Sequence, residues 1–202
     1  MIAIIDYGMG NIHSVQKALE SFGAETVVTN QPQAIKACDK VILPGVGAFE
    51  DALAELKKYN LISALCDHIK SKKTFLGICL GLQLLFSQSQ EANHSKGLAI
   101  LKGRVVKFPD TNGLKVPHIG WNQLKKAAED CPLLKDIPDK SYVYFCHSYY
   151  AVPDDDVVAA TCDYGVEFAA VVCRDNIYGV QFHPEKSQAL GLKVIENFIN
   201  LC

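Results

Sequence analysis

The stretch Gly77-Ile78-Cys79-Leu80-Gly81 constrains this chain more than any other. It joins the apolar run Lys73–Ile78, which reads as a buried strand, to the helical pattern Leu80–Ser89. A strand that passes straight into a helix through two flanking glycines makes a tight elbow. The residue between the glycines is then pushed out over the sheet edge. Here that residue is a cysteine beside a helix N-terminus, where unpaired N–H groups and partial positive charge favour thiolate over thiol.

The surrounding pattern supplies the sheet. Ile2–Asp6 reads as a strand, and Asn11–Phe22 carries helix-spaced Ile12, Val15, Ala18, Leu19 and Phe22 before Gly23 stops it. Thr26–Thr29 reads as a strand, Pro32–Cys38 as a short helix, Val41–Leu43 as a buried strand, and Phe49–Lys70 as one broken helix or two. This alternation predicts a parallel sheet with helices on both faces. The second half is richer in strands: Ile100–Phe108, Lys115–Ile119, Tyr142–Tyr150, Val157–Thr161, Phe168–Cys173 and Ile177–Phe182. Asn112-Gly113 is a hairpin signal, and Gln188–Asn200 closes the chain as a helix. With no repeat, low-complexity tract or linker, residues 1–202 read as one mixed three-layer α/β domain.

A thiolate that attacks a carbonyl needs a proton acceptor, a group to orient that acceptor, and donors for the oxyanion. His183-Pro184-Glu185 offers the first two. If it continues the strand Ile177–Phe182, His183 and Glu185 point to the same side, and Pro184 places them at the sheet rim. Read alone, the segment is equally a surface turn; beside the elbow it completes a Cys-His-Glu set. Pro44-Gly45-Val46-Gly47 follows a strand and precedes a helix. It is either an ordinary turn or an oxyanion loop using Val46 and Gly47, with the Leu80 N–H as a further donor.

Other chemistries find less support. Asp6-Tyr7-Gly8-Met9-Gly10-Asn11 looks like a dinucleotide loop, but His13 stands where a third glycine would be needed, so no cofactor is expected. The net charge of −2 gives no electrostatic case for nucleic-acid binding, and no apolar run suggests a membrane span. Met1–Asp6 lacks the basic region of a signal peptide, which predicts a cytoplasmic protein. The eight cysteines, at 38, 66, 79, 131, 146, 162, 173 and 202, include no C-x₂₋₄-C pair, so no metal site is expected. Apart from Cys79 they read as reduced packing residues.

Together, Gly77–Gln83, Pro44–Gly47 and Phe182–Glu185 resemble the class I (triad) glutamine amidotransferases. Three further stretches, Ile5–Asn11, His118–Asn122 and His147–Tyr150, with Lys186 and Ser187, resemble the branch that forms the glutaminase subunits of imidazole glycerol phosphate synthase. The resemblance spans nearly the whole chain in order. It implies the three-layer class I glutamine amidotransferase (flavodoxin-like) fold with a mixed, mostly parallel central sheet.

For chemistry it implies that Cys79 attacks the glutamine side-chain amide, His183 moves the protons, and Glu185 orients His183. Gln83 and Glu91 would hold the glutamine, Glu91 against its α-ammonium, and the His147-Ser148-Tyr149 backbone would meet its carboxylate. On residue type alone, Gln83 reads as a solvated helix residue and Glu91 as a helix end. The implied partner is a separate (β/α)8 cyclase forming a heterodimer, which uses the ammonia to make imidazole glycerol phosphate and aminoimidazole carboxamide ribotide in histidine biosynthesis. Asn11, Trp121 and Lys186 are the expected contacts, although a single Trp is as readily a core residue. Cys146, where many relatives carry a larger or β-branched residue, puts a second thiol near the site. Rival readings keep the chemistry with a polysaccharide-sugar or vitamin B6 synthase partner, or make the chain a non-catalytic subunit, a cysteine peptidase or a DJ-1-like protein. The intact triad opposes the non-catalytic reading, and the His-Pro-Glu segment and Gln83 context fit the last two poorly.

Overall fold

The computed structural model describes residues 1–92, 96–110, 113–128 and 130–202. Asn112 of the expected hairpin signal lies outside them. The central sheet has eight strands, in spatial order β2 (Thr26–Thr29), β1 (Ile2–Ile5), β3 (Lys40–Gly45), β4 (Thr74–Cys79), β13 (Ile177–Val180), β12 (Glu167–Arg174), β11 (Val158–Asp163) and β8 (Lys125–Lys126). From β2 to β13 neighbours are parallel, and from β13 to β8 they are antiparallel. The mixed, mostly parallel sheet expected from the sequence is therefore present.

Strand alternation sorts the core into two layers. Ile2, Ile4, Ile42, Leu76 and Ile78 face α1 (Ile12–Glu20) and α6 (Gln188–Leu201), meeting Val15, Leu19, Val194 and Phe198. Their neighbours Ala3, Ile5, Val41, Leu43 and Phe75 face the other way. There they meet Ile35 of α2 (Pro32–Ala37) with Phe49, Leu53 and Leu65 of α3 (Phe49–Lys58) and α4 (Leu61–Lys70). Lys73–Ile78 and its sister strands read as unbroken apolar runs because both faces are covered. Phe49–Lys70 resolves into two helices, parted where Asn60 adopts φ 56°. No helix among the described residues is long and apolar enough to cross a membrane.

Four expectations require correction. The helical pattern Leu80–Ser89 ends after one turn, α5 (Leu80–Gln83). Phe86–Ser89 is instead β5, in a small sheet of order β10 (Tyr149–Pro153), β6 (Leu101–Lys107), β5. Leu84, Leu85 and Phe86 are all fully buried, so the run gives no sign of where the helix ends: Leu84 and Leu85 turn the chain and Phe86 opens the strand. The strand expected at Lys115–Ile119 is β7, His118–Gln123, beginning only after Pro117, which has no N–H to give a ladder. Tyr142–Tyr150 breaks at Ser148 into β9 (Tyr142–His147), paired antiparallel with β7, and β10 in the small sheet. Finally, Ile177–Phe182 stops at Val180, so His183-Pro184-Glu185 is not a strand extension.

Candidate active site

Three segments converge at the carboxyl ends of β3, β4 and β13. The first is the elbow. Cys79 takes φ 52° and ψ −105°, a conformation ordinary side chains avoid, and it is 5% exposed. Both glycines are demanded by packing. A Cβ on Gly77 would lie 2.7 Å from the Leu82 nitrogen, and one on Gly81 would strike the Leu43 carbonyl, 3.0 Å from its carbon. The elbow is thus held between β3 and its own helix turn. Because that helix is a single turn, its dipole gives the sulfur less than the longer helix expected from the sequence would have.

The second segment is a 3-10 turn, Pro184–Lys186. The His183 N–H donates to the Tyr144 carbonyl at 2.9 Å, and the Ser187 hydroxyl donates to the His183 carbonyl at 2.7 Å while accepting the Tyr144 N–H at 2.9 Å. These bonds fix the turn against β9. His183 Nδ1 lies 3.0 Å from Glu185 Oε1, and the two side chains are 3% and 1% exposed. The carboxylate accepts, so Nδ1 carries the proton and Nε2 is left for the sulfur. Glu185 Oε2 is buried with no hydrogen-bond partner among the described residues, so the carboxylate's side-chain bond there is the one from His183 to Oε1. Burial alone would lower the imidazole, yet the Cys79 sulfur and the Glu185 carboxylate beside it outweigh this and push it up to about 10.

The third segment is the end of β3. Tyr7 donates from its hydroxyl to the Pro44 carbonyl at 3.0 Å, and a Cβ on Gly45 would meet that hydroxyl and, at 2.9 Å, the Leu80 Cβ. Val46 follows, 43% exposed, and Gly47 has φ +97°. A cavity of about 230 Å³ opens between the three segments. Val46, Gly47, Cys79, Leu80, Gln83, Glu91, Cys146, His147, Ser148, Tyr149, His183 and Lys186 all line it, so twelve positions singled out in the sequence meet at one place. Glu185 stands behind His183.

The side chains show what each position offers. Glu91 belongs to a turn after β5 rather than a helix end, and its Oε2 accepts the Phe49 N–H at 2.8 Å, capping α3 from 42 residues away. Burial raises this carboxyl, with the Phe49 N–H opposing. His147 points into the core: its Nδ1 donates to the Tyr149 carbonyl at 2.8 Å and its Nε2 lies 3.1 Å from His118 Nδ1. Burial holds His147 down to about 3 and His118 to about 4, so both are neutral, and what His147 offers the cavity is backbone. Gln181 is a site residue the sequence reading missed. It is fully buried, and its Nε2 lies 3.6 Å from the Cys79 sulfur. An apolar-looking strand, Ile177–Phe182, hid it.

Asn11 and Trp121 do not reach the cavity. Asn11 sits at the start of α1, and Trp121 is 45% exposed on the β7–β9 ribbon, its ring 6.0 Å from Tyr144. The Lys186 ammonium lies 5.9 Å from the Tyr144 ring centre, linking the cavity mouth to that ribbon.

The chain is thus a three-layer α/β protein with a cysteine on a strained elbow and a buried histidine–glutamate pair gathered at the carboxyl ends of adjoining strands. The family model for glutamine amidotransferase class-I matches residues 3–201, and the chain belongs to that family. More particularly, it is 50% identical over 204 residues to "Imidazole glycerol phosphate synthase subunit HisH" of Syntrophotalea carbinolica, covering 98% of each chain. It is 47% identical over 201 residues to the protein of the same name from Methanocaldococcus jannaschii, covering 100% of both. Among solved structures, that of PurLQS from Thermotoga maritima superposes with a TM-score of 0.75 at 21% identity, over 98% of this chain and 97% of the other. This last similarity concerns the fold.

Proposed function

We propose that this chain, as one domain spanning residues 1–202, is the glutaminase subunit of an imidazole glycerol phosphate synthase. The observation that carries the chemistry is the meeting of Cys79 and His183 in one cavity, with Glu185 bonded to His183 behind it. The Cys79 sulfur attacks the side-chain carbonyl of glutamine, and the oxyanion forms against N–H groups of Val46, Gly47 and Leu80. His183 gives a proton to the leaving nitrogen, the C–N bond breaks, and ammonia departs from a γ-glutamyl thioester. Water, deprotonated by His183, adds to the thioester; the C–S bond breaks and glutamate leaves. Glu185 keeps the imidazole oriented and balances its charge. Gln83 and Glu91 hold the substrate amino-acid end, with Glu91 opposite its ammonium and the His147-Ser148-Tyr149 backbone at its carboxylate.

Ammonia is useful only if it reaches an acceptor before water protonates it, so the mouth needs a partner. In this reading a (β/α)8 cyclase covers it, in the cytoplasm, and contacts Asn11, Trp121 and Lys186. The exposed Ile119, Trp121 and Tyr142, at 58%, 45% and 54%, support this, since aromatic and apolar anchors on one ribbon suit a docking face. The test is to quench turnover with acid and search the Cys79 peptide for the γ-glutamyl adduct by mass spectrometry. The adduct on Cys79, absent in Cys79→Ala together with glutamate release, is expected. Release that survives Cys79→Ala overturns the reading.

A further inference from the structure

The hydrogen bonds behind Cys79 have a direction. The Tyr149 carbonyl can only accept, so the Gln83 group 2.8 Å from it is the donating Nε2. That same nitrogen lies 3.1 Å from the Gln181 amide, which must therefore present its oxygen there. With Oε1 turned to Gln83, the Gln181 Nε2 is turned to the Cys79 sulfur, 3.6 Å away. Gln83 is 4% exposed and Gln181 is fully buried, so water does not compete for either amide. A carbonyl in β10 thus fixes, through two amides, an N–H aimed at the nucleophile.

From this we infer that Gln181 is a further catalytic residue, whose amide N–H stabilises negative charge on the Cys79 sulfur. The inference rests on Cys79 being the nucleophile. The charge is present twice: on the attacking sulfur, and again when the thioester adduct collapses and the C–S bond pair returns to it. A donor fixed in advance needs no reorganisation at either moment. It supplies what the one-turn helix cannot, and it gives Gln83 a second duty, orienting Gln181 as well as lining the cavity. A carboxamide is the right group because it accepts on one side and donates on the other while remaining uncharged.

The experiment measures carboxamidomethylation of Cys79 by iodoacetamide without glutamine, followed on the Cys79 peptide so that the exposed Cys146 does not contribute. Gln181→Met keeps the bulk and removes the donor. Gln181→Glu keeps the shape and turns an acceptor toward the sulfur. Gln181→Met is expected to slow alkylation about ten-fold, the worth of one hydrogen bond to a charged group. Gln181→Glu is expected to slow it by a further factor of about ten, with kcat falling in parallel and KM for glutamine little changed. A packing role would make the two variants alike. Gln83→Met, which leaves Gln181 in place but frees its amide to turn, is expected to slow alkylation by a smaller factor. Wild-type alkylation in Gln181→Met and Gln83→Met, with Cys79→Ala inactive, overturns the role of Gln181 and leaves the nucleophile standing. Glutaminase activity in Cys79→Ala would instead remove the nucleophile itself.

Discussion

Replacing Gly81 by alanine tests the elbow through a single methyl group. The added Cβ would strike the Leu43 carbonyl and lie 3.0 Å from its carbon. Both parties are backbone, one in a central strand and one in α5, so no side chain can swing aside. Over-packing a core costs about 1–3 kcal/mol, and a backbone-on-backbone clash belongs near about 3. For a chain of this length about 1 kcal/mol moves Tm by about 2–4 °C, so the expected loss is about 6–12 °C. The relief available is for α5 to retreat from β3, carrying Cys79 and the Leu80 N–H away from His183. A misplacement of about 1 Å lowers turnover about 100-fold. Gly23→Ala is the control. Its φ is +74°, but nothing lies within 4 Å of the new methyl, so backbone strain alone applies. That strain is about 1 kcal/mol, or about 2–4 °C, with turnover unaffected. Calorimetry and glutamate release on both variants give the answer. Equal Tm losses in the two, or wild-type turnover in Gly81→Ala, would refute the packing account of the elbow.

The His183 value, raised from 6.5 to about 10, makes stability pH-dependent. Its contribution is fully present below about pH 6.5 and is lost as pH rises toward 10, so urea midpoints of the wild type should fall relative to His183→Gln across that window; a relative rise contradicts the pairing. Gly47→Val, whose Cβ would meet the Met9 methyl at 2.8 Å at φ +97°, should cut kcat and leave the KM for glutamine within about two-fold, the mark of a group acting on the transition state alone. Unchanged kcat would remove Gly47 from the oxyanion loop. Glu91→Ala should raise KM and lose about 1 kcal/mol of α3 capping, about 2–4 °C in Tm. Glu91→Gln should raise KM yet keep Tm, because its amide oxygen still accepts the Phe49 N–H; unaltered KM in both would leave Glu91 as a cap only.

Periodicity carried the first half of the fold. Residues 2–5, 40–45 and 74–79 sit under helices on both sides, so each reads as a plain apolar run. It failed where burial is complete: Leu84–Phe86 shows no exposed face to mark a helix end, yet Leu84 and Leu85 turn the chain and Phe86 opens β5 against β6. The site was legible because elbow glycines and a His-Pro-Glu turn are local. Even so, His183 and Glu185 face one another across a 3-10 turn rather than along a strand. Gln181 was not legible, since a buried amide just past the end of an apolar strand gives no local signal. Nor was the cap that Glu91 makes on Phe49, because the two meet only through the fold. The inward turn of His147 follows from β9 alternation with the exposed Cys146, and it leaves backbone as that position's share of the cavity.

The most direct test of the whole account is glutamate release from glutamine by the purified chain, alone and with a cyclase subunit holding its nucleotide substrate. Cys79→Ala is run beside it. Strong activation by the loaded cyclase, abolished in Cys79→Ala, is the predicted result. Full activity without the cyclase, or none in its presence, would contradict a glutaminase built to feed that partner.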